Sequence, residues 1–199
     1  MRYIIHNKCN YCKEKNVKLI YKLNGQKMVQ CVRCSLVYID KQRVDLESLY
    51  NKDYYLKSES NMLANYTDYK DQEKIVKQNF SFAYSYIAKS MNQNRNKLLD
   101  IGAGFGYFIK YLPSNIKSQA VEVSKEAVDA LKINTKAKIY NGNFLDVNIK
   151  NKFDFIVSYD VIEHQNDLVG YLCKIKALLK KDGIVILTTP DFDSPINKI

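Results

Sequence analysis

Residues 98–106 read Leu98-Leu99-Asp100-Ile101-Gly102-Ala103-Gly104-Phe105-Gly106, an apolar strand that runs straight into three glycines spaced two apart. Glycine tolerates positive φ and lets backbone approach a bound molecule closely, so this junction favours a strand–loop–helix unit built to cradle a ligand. A dinucleotide fingerprint would place its third glycine at position 107, but that residue is Tyr107. Downstream, strand and helix patterns alternate. Lys97–Ile101 reads as a strand and Gly106–Leu112 as a helix stopped by Pro113. Gln119–Val123 reads as a strand, followed by a helix from Ser124 to Ile133. Ser124 fits the N-cap, with Ala127 three residues on where a full capping box would have Glu or Gln. Ala137–Tyr140 and Phe153–Tyr159 read as strands, Asp167–Lys181 as a helix and Gly183–Thr189 as a last strand. This order predicts an α/β fold: a Rossmann-like, mostly parallel sheet with helices on both faces.

The amino-terminal part follows a different logic. Cys9-x-x-Cys12 and Cys31-x-x-Cys34 form two pairs separated by eighteen residues. Each Cys-x-x-Cys turn aims two sulfurs at one point, and four thiolates fill a tetrahedral zinc sphere with no position left for water. The predicted metal is therefore structural Zn2+, ligated by Cys9, Cys12, Cys31 and Cys34. Asn24-Gly25 joins Val17–Leu23 and Gln26–Gln30 as a hairpin between the pairs, and Leu36–Ile39 adds an apolar stretch. The result is a small zinc-ribbon-like module over 1–40, whose metal replaces the core that so short a segment lacks. Cys173 stands alone on a helix and is expected to pack as a core thiol. A tyrosine-rich connector spans 41–67, with Tyr50, Tyr54, Tyr55 and Tyr66 as candidates to cover a pocket or to pack between domains. Ile75, Val76, Phe80, Ala83, Tyr84, Ile87 and Ala88 recur at helical spacing between Asp68 and Met91, opening a main domain over 68–199.

Charge narrows the partners. The formal net charge is +10, of which residues 1–40 hold eight basic against two acidic side chains. That excess suits nucleic acid, but lysine outnumbers arginine 27 to 4, and arginine is the residue that reads phosphate and guanine in two-pronged fashion. A tetrathiolate zinc site also subtracts two charges. Nucleic acid therefore ranks below a small molecule as partner. There is no apolar run near 18 residues and no signal-peptide core at the start, so a cytoplasmic protein without membrane partners is expected. Paired thiols there favour metal over disulfides.

Over residues 97–191 the chain resembles the class I S-adenosylmethionine-dependent methyltransferases. The matching motifs are Asp100-x-Gly102-x-Gly104-x-Gly106, Glu122 twenty residues after Gly102, Gly142-Asn143-Phe144, Phe153-Asp154-Phe155-Ile156-Val157, Asp160-Val161-Ile162-Glu163-His164 and Leu178-Leu179-Lys180-Lys181-Asp182-Gly183. The resemblance implies S-adenosylmethionine as cofactor. Asp100, Gly102, Gly104 and Gly106 would hold it, Glu122 would accept its ribose hydroxyls, Asn143 and Phe144 would flank the adenine, and Asp160 would lie nearby. His164 is the candidate base and Glu163 a secondary one, with Tyr107 and Tyr159 as further site candidates. The competing role for His164 is to orient its loop or cap the following helix. The paired cysteines together with Asp-Val-x-Glu-His are similar to sugar and secondary-metabolite methyltransferases. They imply a small-molecule acceptor such as a nucleotide-linked sugar. An RNA methyltransferase, with the zinc module for RNA, and a non-catalytic cofactor-binding fragment are the alternatives. The family sheet normally adds two antiparallel strands after the fifth, and Ile199 comes too soon for them. An incomplete carboxyl end is therefore expected, with an exposed sheet edge through which the chain could dimerise.

Overall fold

Three sheets organise the chain, and the largest carries the glycine run. The structure is a computed structural model and describes residues 2–45, 50, 78–192 and 194. Five strands, β6 (Lys97–Ile101), β7 (Lys117–Glu122), β8 (Lys138–Asn141), β9 (Phe153–Tyr159) and β10 (Leu179–Thr188), lie in the order β10-β9-β6-β7-β8. Every pairing among them is parallel. This is the predicted α/β architecture. β6 sits at the centre, so the loop at its carboxyl end emerges where the strand order reverses, the place where open parallel sheets bind ligands.

Alternation along the central strands feeds two cores. Leu99, Ile101, Val121 and Ile156 face α4 (Leu168–Leu178), which contributes Tyr171, Ile175 and Leu178. Leu98, Phe155 and Val157 face the opposite layer, where α1 (Ser81–Ser90) buries Ala83 and Ile87 beside Phe108 of α2 (Tyr107–Lys110). On that layer Ala120 also meets Ile109 and Leu131, the latter from α3 (Lys125–Asn134). Each such side chain contributes about 1.5–3 kcal/mol when fully buried, which makes the two layers the main source of stability.

Element ends depart from the pattern for identifiable reasons. Ser124 caps α3 as expected, its Oγ accepting from the Ala127 amide at 3.3 Å. The helix expected over 68–91 is described only as Ser81–Ser90, and residues 68–77 lie outside the described set. The helix predicted to reach Lys181 stops at Leu178, because Leu179 already pairs with Phe153 and Lys180 is drawn to Asp154. The chain bulges between Leu179 and Ile184. Cys173 is exposed rather than a core thiol. It sits two residues from buried Tyr171, on the outward side of α4.

In the amino-terminal segment β2 (Val17–Leu23), β3 (Gln26–Cys31) and β4 (Val37–Ile39) form an antiparallel sheet, with Asn24 and Gly25 at positive φ in the tight turn. Its core is Cys9, Val29, Cys31 and Tyr38. A second pairing joins β1 (Tyr3–Ile5) to β5 (Lys41–Arg43), so paired structure runs past residue 40 to Arg43. Three-residue strands are too short to show a period-two signal, which is why sequence pattern misses them. Among the described residues no helix is long and apolar enough to cross a membrane.

Asp154 ties the far end of the large sheet together. Its buried carboxylate accepts from the Asn96 and Lys97 amides at 3.2 and 3.0 Å and from Lys180 Nζ at 2.8 and 2.9 Å. Burial alone would raise its pKa, but Lys180 and the two amides outweigh burial and the net direction is down. A carboxyl lowered in the folded state contributes stability above its unfolded value, and that stability is lost as pH falls through the folded value. Asp154→Asn is predicted to reduce the urea unfolding free energy at pH 7 by about 2 kcal/mol, discounted because Lys180 stays partly exposed. The difference from the parent protein should shrink below about pH 4. An unchanged urea midpoint at pH 7 would show that the pair contributes nothing.

Candidate functional site

The glycine loop leaves β6 and folds back on β7. The Gly102 and Ala103 amides both donate to the Val121 carbonyl, at 2.9 and 3.2 Å. Gly102 has φ +75°, and a Cβ there would lie 2.3 Å from Val161 Cγ2. That close approach brings the loop after β9, which carries residues 160–164, against the loop after β6. Gly106 also has positive φ, but a Cβ on it would strike Leu131 Cδ1 at 2.3 Å. Gly106 is not among the residues that line the cavity described below, unlike Gly102 and Gly104. Its missing side chain makes room for α3.

Glu122 closes the loop from β7. Oε2 accepts from the Gly104 amide at 2.8 Å, and Oε1 accepts from the Val123 and Ser124 amides at 2.8 and 2.9 Å. Burial pushes its pKa up, against the pull of the three amides. A carboxylate offers about four lone-pair positions, so roughly one remains open. A diol can therefore engage Glu122 at that one position or by displacing Gly104, a narrower fit than two free oxygens would give.

Asp100 lies behind the loop with 3% of its surface exposed, and its Oδ2 is buried without a hydrogen-bond partner. Burial, reinforced by Glu122, pushes its pKa up to about 8.

On the other side of β7, the loop after β8 is organised by its own backbone. Asn143 Oδ1 accepts from the Leu145 amide at 3.0 Å, and its carbonyl accepts from Asp146 and Val147 at 2.9 and 3.1 Å. Lys174, reaching over from α4, donates to the carbonyls of Phe144, Leu145 and Val147 at 2.5, 3.0 and 2.6 Å. Its ammonium also sits 5.0 Å from the Phe144 ring centroid. Burial lowers its pKa, opposed by Asp146. Sequence reading missed Lys174, since on a helix it resembles any surface lysine. Only tertiary contact reveals three carbonyls converging on it.

The loop after β9 carries the remaining candidates. Asp160 has φ 52°, a strained value for a side-chain-bearing residue. Thr188 on β10 holds it: the Asp160 amide donates to the Thr188 carbonyl and Oγ1, and Thr188 Oγ1 donates to Asp160 Oδ1 at 3.0 Å. Residues Ile162–His164 form one 3-10 turn. His164 Nε2 lies 4.0 Å from Glu163 Oε1, and burial lowers the His164 pKa. Burial raises Glu163, whose Oε2 has no partner. His164 does not cap the following helix, because Asp167 caps it by accepting from the Gly170 amide at 3.0 Å. Tyr50 packs edge-on to His164 with centroids 5.9 Å apart, and Asn166 Nδ2 donates to the Arg43 carbonyl at 3.3 Å. Tyr54, Tyr55 and Tyr66 lie outside the described residues.

These groups converge on one cavity of about 710 Å³. Asp100, Gly102, Gly104, Glu122, Asn143, Phe144, Asp160, Glu163 and His164 all line it, together with Tyr50, Phe80, Tyr107 and Tyr159. The candidate cofactor and catalytic residues other than Gly106 are thus gathered in one place, whereas Tyr54, Tyr55 and Tyr66 lie outside the described residues.

The cysteines form a separate centre. Cys9, Cys12, Cys31 and Cys34 bring their sulfurs within 4.8 Å of one another. Cys9–Cys34 and Cys12–Cys31 are 3.7 and 3.5 Å apart, close to the ~3.8 Å edge of a tetrahedron with 2.3 Å zinc–sulfur bonds. The two turns repeat one geometry. Lys13 and Ser35, directly after the second cysteine of each pair, have φ 65° and 60° and donate to the carbonyls of Cys9 and Cys31 at 3.0 Å. The Cys9 and Cys31 amides in turn donate to Glu14 and Leu36. Donor chemistry, spacing and burial all fit one tetrathiolate ion.

Residues 71–198 match the family model described as a methyltransferase domain. A ubiquinone biosynthesis O-methyltransferase of Pelagibacter ubique is 26% identical over 124 residues, covering 58% of this chain and 51% of that protein. The same-named enzyme of Rhodopseudomonas palustris is 25% identical over 47% of this chain and 39% of its own length. The chain thus spans about half the length, or less, of the curated relatives it matches. Among solved structures, the plantazolicin methyltransferase BpumL in complex with a substrate analogue and SAH superposes with TM-score 0.53 at 18% identity, covering 60% of this chain and 49% of that one. Streptomyces venezuelae DesVI gives TM-score 0.51 at 17% identity, covering 64% and 60%. Both likenesses show the shared fold.

The Lys174 clamp has a direct readout. Lys174→Met keeps the alkyl stem and removes all three donors. It should speed hydrogen exchange at the Leu145, Asp146 and Val147 amides by about tenfold, as expected for loss of a charge-assisted hydrogen bond. Unchanged protection of those amides would show that the contact leaves the loop unaffected.

Proposed function

The chain belongs to the methyltransferase-domain family, and from that premise we propose that it transfers a methyl group from S-adenosylmethionine to a small-molecule acceptor. The observation that carries this reading is the Glu122–Gly104 bond. It sets a carboxylate and a glycine loop on one wall of a cavity at the strand ends, with a buried, unpartnered acidic oxygen from Asp100 beside them. Bound there, S-adenosylmethionine supplies an already activated methyl group, so the protein need not create an electrophile.

The residues then divide the work. Glu122 receives the ribose through its open lone-pair position. Phe144 and Asn143, set by Lys174, flank the adenine. Asp100 faces the positive charge of the donor, which replaces the hydration that burial removed. His164, whose pKa is lowered by partial desolvation, is the base for an acceptor that must lose a proton. Enclosure of both reactants in one cavity contributes positioning and excludes water. We assign the four cysteines to structural Zn2+, closed to substrate and remote in role from methyl transfer.

Two expectations test this function. Calorimetry should show S-adenosylmethionine binding, abolished or weakened at least tenfold by Glu122→Ala. Asp100 is protonated below about pH 8 in the free protein, and a bound cation favours its charged form. Binding should therefore release a proton, and affinity should rise with pH, by up to about tenfold per unit, until it levels off above pH 8. Absence of binding heat at every pH would refute the proposal. For the metal, elemental analysis of purified protein should give one zinc per chain. Chelation should remove protection from amides of residues 17–39 while leaving those of the large sheet protected. Protein that is metal-free as isolated yet keeps those amides protected would refute the zinc assignment.

A further inference from the structure

Although the chain carries 31 lysines and arginines, none lines the cavity among the described residues. The charged side chains facing it are Asp100, Glu122, Asp160 and Glu163, and His164 is the one other group there that can become a cation. In a protein of net charge +10, that segregation leaves acids as the described groups that can charge the wall, and a positive ligand favours their ionised form.

The four carboxyls divide between the two ends. Asp100 and Glu122 belong to the glycine loop. Asp160 and Glu163 belong to the loop after β9, beside His164. Asp160 is already engaged with Thr188, whereas Glu163 has Thr189 beside its carboxyl and keeps one buried oxygen, Oε2, without a hydrogen bond of its own. A buried acceptor without a donor is costly unless a ligand completes it. Aromatic rings line the same cavity: Tyr50 packs edge-on to His164 beside this loop, Tyr159 directly precedes Asp160 with its ring centroid 4.5 Å from that of Phe80, and Tyr107 is a further lining residue. Aromatic faces bind apolar bodies and attract cations.

We propose that the acceptor is an amine carried on an apolar small molecule, which enters as an ammonium ion and donates to Glu163 between the aromatic walls. This inference rests on the methyl-transfer reading and deepens it. A nucleotide-linked sugar would bring a diphosphate into a wall of carboxyls with no described lysine or arginine to meet it, so the same wall selects against that acceptor. In the transfer itself, His164 takes one proton from the ammonium, which frees the nitrogen lone pair. That pair forms the new nitrogen–carbon bond while the carbon–sulfur bond of the donor breaks and its electrons pass to sulfur. The protonated His164 then returns its proton to water.

The test uses the full chain loaded with S-adenosylhomocysteine and three probes of matched size: benzylamine, benzyl alcohol and phenyl phosphate. Calorimetry or ligand-observed NMR at pH 7 should show benzylamine binding about tenfold tighter than benzyl alcohol, with phenyl phosphate weakest. Glu163→Gln, confirmed as folded by its binding of S-adenosylhomocysteine, should bring the amine-to-alcohol ratio close to one. Equal binding of amine and alcohol, binding of neither, tighter phosphate binding or an unchanged ratio in the variant would each overturn the inference. Failure of S-adenosylhomocysteine to bind at all would overturn the methyl-transfer reading and this inference together. Binding of S-adenosylhomocysteine without amine preference would overturn this inference alone.

Discussion

The hydrogen bond from the Gly104 amide to Glu122 joins two strand ends that the sheet alone would leave independent. β6 and β7 pair only as far as Ile101 and Val121. Beyond that point the Gly102 and Ala103 amides still reach the Val121 carbonyl, and Gly104 is held by a side chain instead of a ladder. Glu122 replaces the ladder with a side chain: one oxygen holds the loop, and the other holds the start of α3 through Val123 and Ser124. A carboxylate is needed for this because an amide would offer only one acceptor oxygen to three donors. The loop then fixes the distance to Val161 through Gly102, and Val161 opens the segment that ends at His164. The geometry of both ends of the cavity thus follows from one buried acid.

That arrangement has an electrostatic consequence. Asp100 and Glu122 are both buried and both shifted upward, and Glu122 adds to the shift of Asp100. Two neighbouring acids of this kind disfavour full ionisation while the cavity holds only water and protein. A positive ligand reverses the balance by supplying the countercharge that burial took away. The same argument extends to Glu163, raised first by burial and then by Asp160. Burying these acids costs stability, which a positive ligand would offset. Lys174 shows the opposite sign of the same principle: it points its buried charge at three carbonyls rather than at the cavity, and so neutralises nothing that a cationic ligand needs.

Much of this was legible in sequence where a feature is local. The glycine spacing, the seven-residue apolar strand at Phe153–Tyr159, the Ser124 cap and the two Cys-x-x-Cys turns are each set by residues close in sequence, and each appears where expected. What sequence hid depends on contacts across the fold. Gly106 looked identical to Gly102 and Gly104, yet its neighbour is Leu131 rather than the cavity. Cys173 sat in an apolar helix, but its phase relative to Tyr171 turned it outward. Lys174 and Thr188 carried no motif, and their roles exist only because α4 and β10 pass beside the loops they hold. The β1–β5 pair is three residues long and polar on one side, below what periodicity can register.

Among the described residues, Arg43 and Tyr50 both reach the His164 loop, and the Tyr50 ring also packs with Phe105 and Tyr107. Asn166 donates to the Arg43 carbonyl at the end of β5, and the Tyr50 ring packs against the His164 ring. Neither contact is strong alone: one hydrogen bond is long at 3.3 Å and the ring pair is edge-on. Their effect is geometric. The 3-10 turn at Ile162–His164 has few internal bonds, so its orientation depends on what flanks it. Val161 packed against Gly102 flanks one side, and Arg43 and Tyr50 flank the other. The position of the imidazole is thereby set jointly by the glycine loop and by chain that belongs with the cysteine module.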